Sequence, residues 1–219
     1  MKEFYDVILS SALFGGIKET ELEAMLCCLD AKKTAFSKDS FLQREGEKTT
    51  SVGLILQGSA LTIKEDVWGN RNIISRLEPG QTFSAASACA AALTTASVIA
   101  ETTGYVLRLD VRKIMTVCSS ACEHHSRVIR NLVAELALKN LQTNEKLTHM
   151  GQRTTKSKLM SYFSALSQRQ GSYEFDIPFT RQQLADYLAV DRSGLTVELG
   201  KMQKDGLIII EKNHVILKI

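Results

Sequence analysis

No run of these 219 residues is long and apolar enough to cross a bilayer. The most membrane-like stretch, Ser84 to Ala100, is built largely from alanine, serine and threonine and is too short and too polar. Met1 is followed by charged Lys2, Glu3 and Asp6 with no sustained apolar core or small-residue cleavage site. No signal peptide is therefore expected, and the chain reads as cytoplasmic with no membrane partner. Five thiols, Cys27, Cys28, Cys89, Cys118 and Cys122, are an odd number outside any secretory context. That excludes a disulfide framework, and they are expected to be reduced, mostly as small buried hydrophobes. A nucleophile elbow, a phosphate-binding loop, a zincin motif and a dinucleotide fingerprint are all missing, so no catalytic residue is assigned and no enzyme is expected.

Excess charge is scarce as well. The net charge is +3, with 17 Lys+Arg against 17 Asp+Glu over residues 1–150 and 10 against 7 over residues 151–219. The whole excess lies in the final third, a small footprint of the kind nucleic acid attracts, though a solvated surface carries as much. At 44% hydrophobic residues the chain can bury a real core, and its length suits two modest domains.

What is present changes period along the chain. From Ile17 to Leu29, Leu22, Met25, Leu26 and Leu29 recur at helical spacing behind Glu19, Glu21 and Glu23, which predicts a short amphipathic helix. From Lys33 to Leu109 short β-like runs are separated by turn signals at Gly46, Gly58, Gly69, Gly80 and Gly104, implying an antiparallel barrel or jelly roll. Glycine and proline are then absent from Ser119 to Met150, which predicts one helix about 48 Å long at 1.5 Å per residue. It carries apolar residues on two neighbouring faces, so it must be covered twice. Either a second copy covers it, through Ile129, Leu132, Val133, Leu136 and Leu147, or the helix is buried inside a monomer. Gly151 breaks the pattern and sets the expected boundaries: a β-barrel domain at 1–118, a long helix at 119–150 and a further domain at 151–219.

The third segment carries the most specific pattern. Thr180 with Gln183 three positions on is a capping box before Leu184 and Leu188. Asp191 is the next N-cap, opening a helix over Arg192 to Lys204 with Leu195, Leu199 and Met202 inward. Two short helices, a tight turn and small Ala185 where they cross make a helix-turn-helix. Asp205-Gly206 then ends the second helix, and Leu207 to Ile210 with His214 to Ile219 forms a hairpin wing. The fold class expected is α+β, an N-terminal antiparallel β-barrel or jelly roll with flanking helices, a long helix and a C-terminal winged helix-turn-helix.

The order of elements and the string FTRQQLADYLAVDRSGLTVELGKMQKDGLI, Phe179 to Ile208, resemble the cyclic AMP receptor protein/FNR superfamily of dimeric transcription regulators. The resemblance spans the whole chain and implies a cyclic-nucleotide-binding-like barrel, a homodimer and double-stranded DNA bound at an inverted repeat, with Met150-Gly151 as a hinge. In that family the first residues of the second helix reach base edges. Arg192 and Ser193 stand there, Arg192 suited to a guanine. One turn on, where relatives usually have arginine, Val197 is suited to a thymine methyl. Thr196, Arg181, Lys201 and Lys204 are candidate phosphate contacts, ordinary solvated surface being the other reading of the two lysines.

Departures bear on the effector. The family typically holds its nucleotide through a Gly-Glu turn and a later Arg-Ser pair, and here Ser84 and Ala85 stand near the first and Thr94 and Thr95 near the second. No lysine or arginine occurs from Leu77 to Leu107, so a cyclic phosphate would lack its bidentate partner and cyclic AMP is not the expected effector. Cys118, Cys122 and His125 could share a helical face as metal or haem ligands, but no fourth ligand is evident, and no cofactor is expected. Two other readings remain: a ligand-independent dimeric DNA-binding protein with a purely structural barrel, and a cupin-like enzyme. The second largely fails, because all four histidines, His124, His125, His149 and His214, follow the barrel. An activator would also contact RNA polymerase, and no motif identifies that surface.

Overall fold

A computed structural model of the chain describes residues 1–116 and 123–218. It divides into two compact units, Met1–Lys64 with Ile74–Asn140 and Glu65–Ile73 with Leu141–Ile219. In chain order the elements of the first half are α1 (Tyr5–Ser10), α2 (Glu19–Cys28), β1 (Lys32–Phe36), β2 (Phe41–Gln43), β3 (Ser51–Gln57), β4 (Ala60–Glu65), β5 (Arg71–Leu77) and β6 (Thr82–Phe83). They continue with α3 (Ala85–Cys89), β7 (Ser97–Ala100), β8 (Gly104–Asp110), α4 (Val111–Met115) and the long α5 (Glu123–Met150). The second half holds α6 (Thr155–Gln170), β9 (Glu174–Asp176), α7 (Arg181–Leu188), α8 (Arg192–Lys204), β10 (Ile208–Glu211) and β11 (His214–Leu217).

The strands of the first half form two four-stranded sheets, ordered β1-β8-β3-β6 and β2-β7-β4-β5, a jelly roll rather than a closed barrel. Period-two alternation divides their side chains between two cores. On one face of the first sheet, Val52, Leu54, Leu107 and Leu109 pack with α1, α2 and the α5 residues Val128 and Leu132. On the other, Ile55, Val106 and Phe83 join Leu42, Val98 and Ala100 of the second sheet. Two glycines are required by close approach. A Cβ on Gly104 would fall 2.0 Å from the Gln57 carbonyl oxygen, and one on Gly53 would fall 2.2 Å from the Phe83 ring.

The Ala/Ser/Thr stretch contains α3, whose Ala85 and Ala88 are buried in the helical core; alanine's helix propensity and small size permit both. One local expectation is corrected. Cys27 and Cys28 are exposed rather than buried, because the inward stripe of α2 is Leu22, Met25 and Leu26 and leaves both thiols outside it. Cys89 is half-buried, and Cys118 and Cys122 lie outside the described residues.

In the second unit Leu195, Leu199 and Met202 of α8 are buried beside Leu159 and Phe163 of α6 and Leu184 and Leu188 of α7, with Ala185 wholly buried. The capping box is present in both directions, Thr180 Oγ1 accepting from the Gln183 amide at 3.3 Å and Gln183 Oε1 from the Thr180 amide at 2.9 Å. Asp191 Oδ2 accepts from the Gly194 amide at 2.7 Å. The turn between α7 and α8 passes through Ala189 in the left-handed region at φ 50°, and Lys158 closes it by donating to the Leu188 and Ala189 carbonyls at 3.0 and 3.3 Å. Within the same unit Lys146 on α5 donates to Asn72 Oδ1 at 2.9 Å and to the Ile73 carbonyl and lies 4.6 Å from the Tyr187 ring centre; burial pulls it down to about 8. The wing is the three-stranded sheet β10-β11-β9.

A left-handed conformation costs an L-residue about 1–2 kcal/mol, whereas glycine's extra unfolded-state freedom costs only about 0.4–1 kcal/mol. Ala189→Gly is accordingly expected to stabilise the chain by up to about 1 kcal/mol in thermal unfolding. A lowered midpoint would mean that the Ala189 methyl contributes packing worth more than the strain it carries.

Candidate nucleic-acid interface and effector region

On α8 the inward residues are Leu195, Leu199 and Met202, so Arg192, Thr196, Val197, Lys201 and Lys204 are left on the exposed side. Val197 is 57% exposed, an apolar side chain held out in solvent. Among the described residues the Arg192 side chain has no hydrogen-bonding or ion-pair partner, which leaves all five guanidinium N–H donors available. Nothing stands within 4 Å of where a Gly200 side chain would begin, so this part of the helix is bare. Ser193 is engaged differently: its hydroxyl donates to Asp191, and that bond, with the Gly194 amide, holds the Asp191 carboxyl below the ordinary range. The Thr196 hydroxyl donates to the Arg192 carbonyl at 2.9 Å, and Lys201 lies 3.9 Å from Glu198. Arg181 is half-buried and donates to the Lys212 carbonyl, tying the start of α7 to the turn of the wing.

The five residues expected at a dimer seam divide on α5. Leu132 is buried in this chain's own core, and Ile129 and Leu136 pack against that core. Val133 and Leu147 are 59% and 61% exposed, and Leu138 and Leu141 are exposed as well. The buried stripe also carries charge. The Thr82 hydroxyl donates to Glu135 Oε1 at 2.5 Å, and Lys139 donates to the Thr82 carbonyl at 2.6 Å while lying 3.2 Å from Glu135.

Of the expected effector residues, Ser84 and Ala85 lie at the start of α3, and Thr94 and Thr95 precede β7. Ser84 is a left-handed hinge before α3 at φ 60°, and Ala85 is packed in the core. The Thr94 hydroxyl is held between the Arg44 and Glu47 carbonyls at 2.5 and 3.1 Å, and Thr95 is exposed. A cavity of about 410 Å³ lies instead against β1, β2 and β8, with Arg108 in its lining. In the sequence this arginine stands one position past the cation-free stretch of residues 77–107. Of the candidate metal set, His125 is buried with Nε2 2.9 Å from the Ile114 carbonyl and Nδ1 3.9 Å from Cys28 Sγ. Its proposed companions Cys118 and Cys122 lie outside the described residues, and among the described residues no three His, Cys, Asp or Glu side chains are grouped as metal ligands.

The wing carries a titratable cluster. His214 faces Asp176 Oδ1 at 2.9 Å from Nδ1 and Glu174 Oε1 at 3.1 Å from Nε2, so the protonated ring donates to both, and its pKa is raised above the ordinary histidine value by the Asp176 bond first. Stability from this cluster is fully present below the unfolded histidine pKa and is lost as pH rises through the folded one. The expected observation is an imidazole NMR titration of His214 with a midpoint above the ordinary histidine value, displaced downward in Asp176→Asn. A midpoint at or below that value would show that the cluster does not hold the proton.

Residues 33–121 match the cyclic nucleotide-binding domain family, and residues 157–219 match the Crp-like helix-turn-helix domain family. The transcriptional activator protein FnrL of Cereibacter sphaeroides is 29% identical over 94 residues, a match spanning 38% of this chain and 38% of that relative. Among solved structures, CLP of Xanthomonas campestris, a c-di-GMP responsive global regulator, superposes with a TM-score of 0.71 at 15% identity, over 91% of this chain and 99% of that one. CooA of Carboxydothermus hydrogenoformans gives a TM-score of 0.71 at 15% identity, over 96% and 91%. With the jelly roll, the long helix and the winged helix-turn-helix in the order those two domain families require, the chain belongs to the Crp/Fnr superfamily.

Proposed function

We propose that this chain is a homodimeric, sequence-specific DNA-binding transcription regulator controlled by a small effector other than cyclic AMP. Residues 1–118 act as the sensor, residues 119–150 as the dimerisation helix and residues 151–219 as the DNA-binding part. The observation that carries this reading is the exposed side of α8, where unpaired Arg192 and solvent-held Val197 project from a helix fixed by an N-cap, a closed turn and a wing. A guanidinium there suits the O6 and N7 acceptors of guanine, and the valine suits a thymine methyl. Ser193, Thr196, Lys201, Lys204 and Arg181 contribute phosphate contacts or hold the register. Val133 and Ala137, with Leu141 one further turn on, recur at four-residue intervals on exposed α5, a seam that a second copy covers. Two copies so joined bring their α8 helices to major grooves one helical turn apart, about 34 Å. Its relative FnrL is named a transcriptional activator; a similar role here would add RNA polymerase as a partner.

Cyclic AMP is disfavoured because Ser84, Ala85, Thr94 and Thr95 supply neither the carboxylate nor the guanidinium that the family uses. The packing of Ala85 into the core favours a second reading, a ligand-independent regulator whose sensor fold is structural.

Selection of bound duplexes from a random pool is expected to enrich an inverted repeat. On that duplex Arg192→Ala is expected to weaken binding by about 1–3 kcal/mol and relax the preference at one base pair in each half-site. Unchanged affinity would remove Arg192 from the interface, and enrichment of no repeat would remove the dimer. Cyclic AMP is expected to leave the thermal midpoint where it is, and a saturable rise would reverse the assignment.

A further inference from the structure

Arg108 sits where cross-strand pairing creates an unusual opening. Gly53 of β3 is paired with Arg108 of β8 on one side and with Phe83 of β6 on the other. With no side chain between them, the Phe83 ring covers Gly53, and the guanidinium carbon of Arg108 lies 5.7 Å from its centre. The alternation of β8 puts Arg108 on the same side as Val106, facing the space between the sheets, while Leu107 and Leu109 face the helices. A cavity of about 410 Å³ opens there, toward the small end of the range for ligand pockets, ~300–1,000 Å³.

The lining of this cavity is chemically two-sided. Phe36, Phe41, Leu42 and Val106 give it apolar walls, and Arg108 is the one cation in the lining. The guanidinium is half-buried yet only partly used: one N–H donates to the Leu42 carbonyl and another meets Ser51 Oγ at 3.5 Å. Guanidinium has five N–H donors, so three have no acceptor among the described residues. No carboxylate among the described residues lies within ion-pair distance of Arg108. Glu47, the carboxylate whose field it feels, is instead bonded to Gln43 Nε2 at 2.9 Å and to the Arg44 amide at 3.1 Å. A cation drawn from water in this way favours a bound anion.

We propose that this cavity is the effector site and that it takes a small organic carboxylate with an apolar body, its carboxylate paired with Arg108 and its body against Phe36, Phe41 and Val106. One guanidinium and no second cation in the lining match a single negative charge rather than a phosphate dianion. The lining residues lie on β1, β2, β8 and the turn between β1 and β2, and none of Ser84, Ala85, Thr94 and Thr95 is among them. The cavity's assignment as the effector's site rests on the regulator reading above; the binding chemistry does not.

The test uses the full chain in calorimetric titrations with benzoate and octanoate, with the uncharged benzamide and 1-octanol, and with inorganic phosphate. Saturable binding of one or both acids but not of the uncharged partner is expected, with a loss of about 10- to 100-fold in Arg108→Gln. Arg108→Lys, which keeps the charge and loses the fork, should fall between the two. Equal binding of acid and amide, no binding of either acid, preferential binding of phosphate, or undiminished affinity in Arg108→Gln would each overturn the site. If Arg108→Gln does not fold, the acid and amide comparison on the native chain decides alone. DNA affinity is measured beside each titration. A bound acid that leaves DNA affinity unchanged would overturn the effector assignment while the carboxylate site stands, whereas failure of the native chain to bind any duplex would sink the regulator reading itself.

Discussion

The burial of one stripe of α5 is the constraint on which the sensor fold and the proposed assembly depend. His125, Val128, Leu132 and Glu135 recur every three or four residues and all are buried, so this side of a 28-residue helix is committed to its own chain. Withdrawing that stripe leaves the opposite side bare, with Val133, Leu138 and Leu141 exposed. Exposed apolar side chains in series on a long helix favour association, whereas scattered ones do not. The polar insertion in the buried stripe is costly unless satisfied, and Glu135 meets that cost with the Thr82 hydroxyl and Lys139, although its Oε2 finds no partner among the described residues. Helix and sheet are thereby tied together at Thr82, because sliding by a residue would take that hydroxyl from the carboxylate while Lys139, on the same helix, moved with it.

The helix-turn-helix is held by a different kind of interaction, short and local. Thr180, Gln183 and Asp191 each satisfy amides that a helix start leaves open. Lys158 does the same for carbonyls at the end of α7, and Arg181 joins α7 to the wing. These bonds involve side chains that a DNA-binding surface would otherwise use, which separates the outward residues into two kinds. Ser193 and Arg181 are already bonded, and they orient. The side chains of Arg192 and Val197 are not, and on the proposed reading these two reach the bases.

The jelly roll also separates two environments by alternation alone. Its helix-facing side is a continuous apolar core, while the space between the sheets contains a guanidinium, an aromatic ring and a glycine in three paired positions. A charged side chain in that space has to be compensated, and the two bonds it makes to its own chain use fewer than half its donors. The sensor region therefore differs from a purely structural sandwich at one point.

Local patterns in the sequence determined the order of elements, the long helix, the capping box and the wing, because caps, turns and hydrophobic periodicity act over a few residues. They also determined which side chains of α8 face out, since Leu195, Leu199 and Met202 define its inner side unaided. They did not reveal that Ala85 packs in the core, that Leu132 serves its own chain, or that Cys27 and Cys28 lie outside. Each of those depends on which of several apolar surfaces a helix meets, which only packing decides. Arg108 is the sharpest instance: along the chain it is a cation just past a neutral stretch, and only the pairing of β8 with β3, opposite a glycine that leaves room for Phe83, turns it into the lining of a cavity.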